Sequence, residues 1–183
     1  MGAGKTSVGR ALGQRLHWLF EDLDDRVERR EGRTIAEIFR DSGEPHFRGA
    51  ERAALRRLLE ELRGGVAEIG KRRIVALGGG AFVKKGNAAL LRAAGVPVVF
   101  LDASVKELWR RCRKQAGQAG PERPLLRTFE RFRTLYRTRR KGYLQASVKI
   151  ETGGRPIRAI AREIAEKLSL KKVGARAEEG EAE

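Results

Sequence analysis

The chain carries a single cysteine, Cys112, in 183 residues, which excludes an internal disulfide and fits a reducing compartment. Aromatic residues are only 6% of the total, too few to supply a platform on which bases would stack, so no nucleic-acid partner is expected. His17 and His46 have no metal-ligand spacing and read as structural or exposed. No apolar run approaches the ~20 residues that a membrane span requires, and the first residues lack a signal-peptide layout. A cytoplasmic protein with no membrane association is expected. There is no internal repeat and no sign of a second domain.

What is present is charge. The formal net charge is +16, with 40 Lys and Arg against 24 Asp and Glu. The arginines are spread over nearly every segment rather than gathered in a stripe, so most of this charge reads as a solvated surface. With 40% hydrophobic and 35% charged residues, the composition is that of a globular domain large enough to bury a core.

Met1-Gly2-Ala3-Gly4-Lys5-Thr6 matches the closing half of G-x-x-x-x-G-K-[ST]. In such a loop backbone N–H groups wrap phosphates, the Lys reaches the β/γ-phosphates and the hydroxyl ligates Mg²⁺. The opening Gly would fall before Met1, with one residue between them, and the strand that feeds such a loop is missing too. Met1 is therefore expected to be an internal Met of a longer chain, and the 183-residue form is expected to bind ATP poorly.

Helical spacing of Val8, Leu12 and Leu16 follows the loop, then a short strand, Trp18-Leu19-Phe20, running into Glu21-Asp22-Leu23-Asp24-Asp25. Two helices stop at Gly32 and Gly43, and a strongly amphipathic one covers Gly49 to Leu62. Ile74 to Leu77 and Val96 to Leu101 read as buried strands, each following a helix. A helix from Ser104 to Arg113 leads to the small-residue stretch Gln115 to Pro121, read as a mobile loop or lid. A basic helix from Thr128 to Lys141, a strand at Val148 to Glu151 and a helix on Ile157, Ile160, Ile164 and Leu168 complete the domain. Residues from about 171 read as a disordered charged tail. Alternating strands and helices predict an α/β fold with a parallel sheet covered on both faces.

Four groups of residues carry candidate chemistry. Asp22 and Asp24 end a predicted strand, where alternation would put both carboxylates on one side to hold Mg²⁺ and accept a proton; helix capping is the other reading. Arg48 and Glu51 are either a surface i,i+3 pair or an Arg held to grip a substrate carboxylate. Gly78, Gly79 and Gly80 remove every side chain where backbone could meet a ligand. Arg123 in Arg123-Pro124-Leu125-Leu126 could cover a transferring phosphoryl group, and the run Arg137 to Tyr143 could supply another anion-binding Arg.

The succession GAGKTSVGR, Asp-x-Asp, GRTIAEIF, GEPHFRGAE, ALGGG, VVFL, RPLL and a late R-x-x-x-Y resembles the shikimate kinase family across nearly 170 residues. The resemblance implies a nucleoside-monophosphate-kinase-like P-loop fold in three layers, with its first strand missing, over residues 1–170. Substrate-binding helices would lie at about 25–62 and a lid at about 112–126. It implies a monomer that phosphorylates the 3-hydroxyl of shikimate with ATP and Mg²⁺ in aromatic amino-acid biosynthesis. On that reading Gly2, Ala3, Gly4, Lys5 and Thr6 hold the nucleotide, and Thr6 and Asp22 the metal. Asp24 orients and deprotonates the substrate hydroxyl, and Arg48 and Arg139 clamp its carboxylate beside Gly78, Gly79 and Gly80. Lys5 and Arg123 act on the phosphates, and Arg111 and Arg155 lie on the nucleotide side. Two departures stand out: the segment between Arg111 and Arg123 is longer than is common in the family, and Lys141 replaces the usual Pro, so Arg139 and Arg140 both remain candidates. A gluconate-kinase-like enzyme and a non-catalytic relative are the alternatives.

Overall fold

The computed structural model describes residues 2–63, 72–116 and 128–172. The lid arginine Arg123, most of the expected lid, and the tail beyond residue 172 lie outside them.

Helix α1 (Lys5–Leu16) leads through a turn at His17 into strand β1 (Leu19–Asp22) and helix α2 (Leu23–Glu31). Helix α3 (Ile35–Arg63) is two helices joined at Gly43, whose φ of 76° and ψ of 176° break the helical path. Pro45 then sits in the first turn of the second part, where a missing N–H costs nothing. Strand β2 (Arg73–Ala76), helix α4 (Lys85–Ala93), strand β3 (Val99–Asp102) and helix α5 (Val105–Ala116) follow. Helix α6 (Phe129–Tyr143), strand β4 (Val148–Glu151) and helix α7 (Ile157–Lys167) complete the order.

The strands form two parallel pairs, β1 with β2 and β3 with β4. Each has helices on both faces, because alternate residues point opposite ways. Ile74, Val99 and Ile150 pack with Val8, Leu12, Ile160 and Ile164 of α1 and α7. Val75, Leu77 and Val98 face the layer built by α2, α3 and α4, around Leu23, Ile38, Leu55 and Leu58. Burial of each such side chain contributes about 1.5–3 kcal/mol before the entropy of ordering is subtracted. The α/β, three-layer, parallel expectation therefore holds. The described strands do not make one continuous sheet, however. An apolar cleft of about 440 Å³, lined by Ile74 to Leu77 and by Val98 to Leu101, separates the pairs and reaches Ala3 and Lys5. This leaves Ile74, Val75 and Val99 only half-buried, whereas strands covered by helices on both faces are usually buried.

On the outer side, Glu21 of β1 accepts from Arg26 at 3.1 Å, Arg29 at 3.1 Å and Arg73 at 3.4 Å. Glu61 meets Arg26 and Arg73 as well, tying β1 and β2 to α2 and α3.

Helix α1 lies close to β1 because it presents glycine there. A Cβ at Gly13 would fall 2.9 Å from the Trp18 carbonyl oxygen, so Gly13→Ala is expected to cost about 1–3 kcal/mol by overpacking. Gly49, exposed on α3 with nothing within 4 Å of the added atom, gives the opposite expectation. Gly49→Ala should stabilise by about 0.5–1 kcal/mol through helix propensity alone. Thermal melts of the two variants should therefore move in opposite directions.

Candidate active site

Gly2 and Gly4 adopt φ values of 65° and 80°, a left-handed backbone that suits glycine, and α1 begins at the next residue, Lys5. The turn leads directly into α1, whose first N–H groups receive no side-chain cap from Gly4. Thr6 lies one residue into the helix, and its Oγ1 donates to Asp22 Oδ2 at 3.2 Å. Loop and first acid are thus in contact. A hydroxyl and a carboxylate at this separation are a donor set that fits Mg²⁺, which takes few protein oxygens and completes its shell with phosphates and water. Among the described residues no cluster of three or more His, Cys, Asp or Glu could cage a metal by itself.

Asp22 and Asp24 come together differently from the strand alternation expected. Strand β1 ends at Asp22, and Asp24 already belongs to the first turn of α2. Asp22 is the N-cap, its Oδ1 accepting the Asp24 N–H at 3.1 Å. Capping and active-site placement coincide: the cap fixes the turn that sends Asp24 toward the glycine segment.

That segment is the meeting point of the site. A Cβ on Gly78 would lie 2.7 Å from Asp24 Oδ1 and 3.0 Å from Glu51 Oε1, and one on Gly80 would lie 2.8 Å from Arg48 Nη1. Only a chain without side chains lets Asp24, Glu51 and Arg48 crowd this closely. Arg48 donates to Glu51 at 3.0 and 3.2 Å and to Glu44 at 3.0 and 3.1 Å. Glu51 is 1% exposed, so the surface-pair reading of this motif fails. Burial pushes the Glu51 carboxyl above its usual range, and the charge and hydrogen bonds of Arg48 offset only part of this.

Helix α6 closes the site from the other side. The Tyr143 hydroxyl donates to the Gly79 carbonyl oxygen. Arg139, one helical turn earlier, lines the same cleft as Gly78, Gly79 and Tyr143, and its charge acts on Tyr143 and Glu51. Arg140 faces elsewhere, donating to Asp102 at 3.1 Å. Of the two candidates in the basic run, Arg139 is the one that lines the cleft with Gly78 and Gly79 and whose charge acts on Glu51.

Arg111 and Arg155 flank the turn after β4. Arg111 is held by Glu107 at 2.8 Å and donates to Thr152 O at 2.9 Å, while Arg155 donates to the Glu151 carbonyl and pairs with Glu163 at 2.6 Å. Both guanidinium groups already have protein partners. The sequence reading did not single out Asp102 or Tyr136, nor give Tyr143 a partner. The available signal was an acid ending the apolar run Val98-Val99-Phe100-Leu101 and tyrosines four residues before Arg140 and after Arg139.

A family model of shikimate kinase matches residues 1–169. The chain belongs to the shikimate kinase family. It is 40% identical over 174 residues to a shikimate kinase of Cereibacter sphaeroides, covering 93% of this chain and 80% of that protein. The shikimate kinase of Geobacter metallireducens is 40% identical over 167 residues, covering 90% and 85%. Among solved structures, shikimate kinase from Acinetobacter baumannii in complex with shikimate superposes with a TM-score of 0.77 at 33% identity, covering 92% of this chain and 89% of that one. A gluconokinase from Sinorhizobium meliloti, with a TM-score of 0.52 at 19% identity, shares the fold. As a member of the shikimate kinase family, the chain is a nucleotide-dependent transferase.

Removing Arg48 strands a buried carboxylate. Arg48→Ala is expected to cost about 3 kcal/mol of stability at pH 8. Because the folded state raises the Glu51 pKa above 4.5, it favours the protonated form. That contribution is full below the unfolded value and lost as pH rises through the folded one. The deficit of the variant relative to wild type, read from denaturant melts, should shrink between pH 8 and pH 5. A deficit equal at both values would contradict the role given to burial.

Proposed function

We propose that this chain transfers the γ-phosphoryl group of ATP to the 3-hydroxyl of shikimate, forming shikimate 3-phosphate on the route to aromatic amino acids. The observation that carries this reading is the convergence of Asp24, Arg48 and Arg139 around the Gly78 to Gly80 segment, a short step from the Thr6–Asp22 contact. A hydroxy acid needs an anion clamp at one end and a proton acceptor at the other. Arg48, pre-oriented by two carboxylates, would take the carboxylate of shikimate bidentately, with Arg139 on its other flank. Gly78, Gly79 and Gly80 would let the backbone lie against the ring.

Asp24 would accept the hydroxyl proton as the new P–O bond forms and the bond to the ADP oxygen breaks. Gly2, Ala3, Gly4 and Lys5 would hold the phosphates, Lys5 offsetting charge on the transferring group, with Arg123 acting from the lid. Thr6 and Asp22 would hold Mg²⁺, which supplies neutralisation of phosphate charge when bound. Arg111 and Arg155 are assigned to the nucleotide side. A monomer in the cytoplasm, acting on these small molecules and not on nucleic acid, completes the reading; no described helix is long and apolar enough to cross a membrane.

An ADP-release assay tests it. Release should require both shikimate and Mg²⁺, and gluconate should not replace shikimate; turnover with gluconate alone would overturn the proposal. Asp24→Asn is expected to lower kcat by about 10²–10⁴-fold, the usual contribution of a positioned base. Shikimate KM should change far less in that variant.

A further inference from the structure

Asp102 ends β3 with its side chain 5% exposed, and six donors from five residues converge on it. Oδ1 accepts from the Tyr136 hydroxyl and from the Ala103 N–H at 3.0 Å. Oδ2 accepts from Arg140 and forms an ion pair with the Lys149 ammonium, each at 3.1 Å. Its own carbonyl oxygen accepts the Thr152 N–H at 2.8 Å and the Thr152 hydroxyl at 2.9 Å, and Arg111 of α5 braces Thr152 in turn. Burial pushes the Asp102 carboxyl up, but the bonds from Tyr136, Lys149 and Arg140 prevail and hold it below its ordinary range. The group is a buried anion made tolerable by full satisfaction.

Its partners on α6 are spaced to set a rotation. Tyr136 and Arg140 are four residues apart and meet Asp102 on one face of the helix. Arg139 and Tyr143 are also four apart; Tyr143 meets Gly79, and Arg139 lines the cleft beside Gly78 and Gly79, where its charge acts on Glu51. One residue is about 100° of helix rotation, so whatever fixes Arg140 also fixes the direction of Arg139. Buried Phe132 anchors the N-terminal part of α6 apolarly against Ala103, Leu108 and Cys112, and Asp102 adds the directional polar tie from the sheet that fixes the rotation of the helix.

We propose that Asp102 is a positioning residue for substrate binding: by holding Tyr136 and Arg140 it sets the rotation of α6 and so aims Arg139 into the site beside Arg48. This rests on the reading of Arg139 as a clamp for the substrate carboxylate. Asp102 meets the face of α6 that carries Tyr136 and Arg140, next to the face that carries Arg139. Lys149 and Arg140 neutralise it, and loss of its charge would leave those two cations facing each other as well as loosening the helix.

Steady-state kinetics of the whole protein separate the possibilities. Asp102→Asn keeps the size of the side chain and removes its charge. It is expected to raise shikimate KM by about tenfold, a moderate cost for misaiming a binding group, with ATP KM and kcat within about twofold of wild type. Arg139→Ala should raise shikimate KM by at least as much. The double variant should be no worse than Arg139→Ala alone, because Asp102 acts through Arg139. Tyr136→Phe, which deletes one hydroxyl, should show the same KM-only effect at about threefold and carries the test if Asp102→Asn does not fold. An Arg139→Ala variant with unchanged KM overturns the clamp reading and this inference with it. A raised KM in Arg139→Ala but not in Asp102→Asn or Tyr136→Phe overturns the inference alone. So does a double variant whose losses multiply.

Discussion

A carboxylate with almost no solvent contact, that of Glu51, organises the substrate side of this protein. Burying it is unfavourable unless a cation is locked to it, and the cation is Arg48, one turn away on the same helix. The lock fixes Arg48 at the point where Gly80 passes and brings Glu51 against Gly78, next to Asp24. From this constraint the rest follows. The glycines must be glycines, α3 must restart cleanly after Gly43, and α6 must bring its basic face to the same place. Arg48 and Glu51 look like an ordinary helix-surface pair in the chain; burial of Glu51 turns Arg48 into a fixed cation beside Gly80.

The nucleotide side is organised by backbone rather than by buried charge. Left-handed glycines turn the chain into α1, and the Thr6 hydroxyl meets the cap of the next helix, Asp22. One residue thus serves two local demands, ending β1 with a helix cap and offering a second oxygen toward a cation. The acidic residue two positions on is delivered by the helix the cap begins. Substrate and nucleotide halves are joined across a distance of two residues, from Asp22 to Asp24.

Much of this was legible in order of sequence. Helical spacing at Val8, Leu12 and Leu16, the apolar runs before Gly78 and at Val98 to Leu101, and the glycine stops at Gly32 and Gly43 all correspond to elements or breaks in the fold. Local pattern was enough where burial has a simple period. It was insufficient where function depends on which groups meet from distant segments. Strand alternation gave a mistaken route to the Asp22–Asp24 pairing, because the strand ends at Asp22, two residues short of Asp24, and a cap takes over. Arg139 and Arg140 cannot be told apart by their neighbours in the chain. The rotation of α6 separates them, and Asp102, 38 residues from Arg140, takes part in setting that rotation.

The central claim is that Arg48, held by Glu51, recognises the carboxylate of the substrate. Calorimetric titration of shikimate and of its methyl ester, each against wild type and Arg48→Ala, isolates that contact as a double cycle. The account predicts that wild type prefers the acid over the ester by about tenfold or more, as a charge-assisted bidentate pair should. It also predicts that Arg48→Ala loses most of that preference. An equal preference for the acid in both proteins would contradict it.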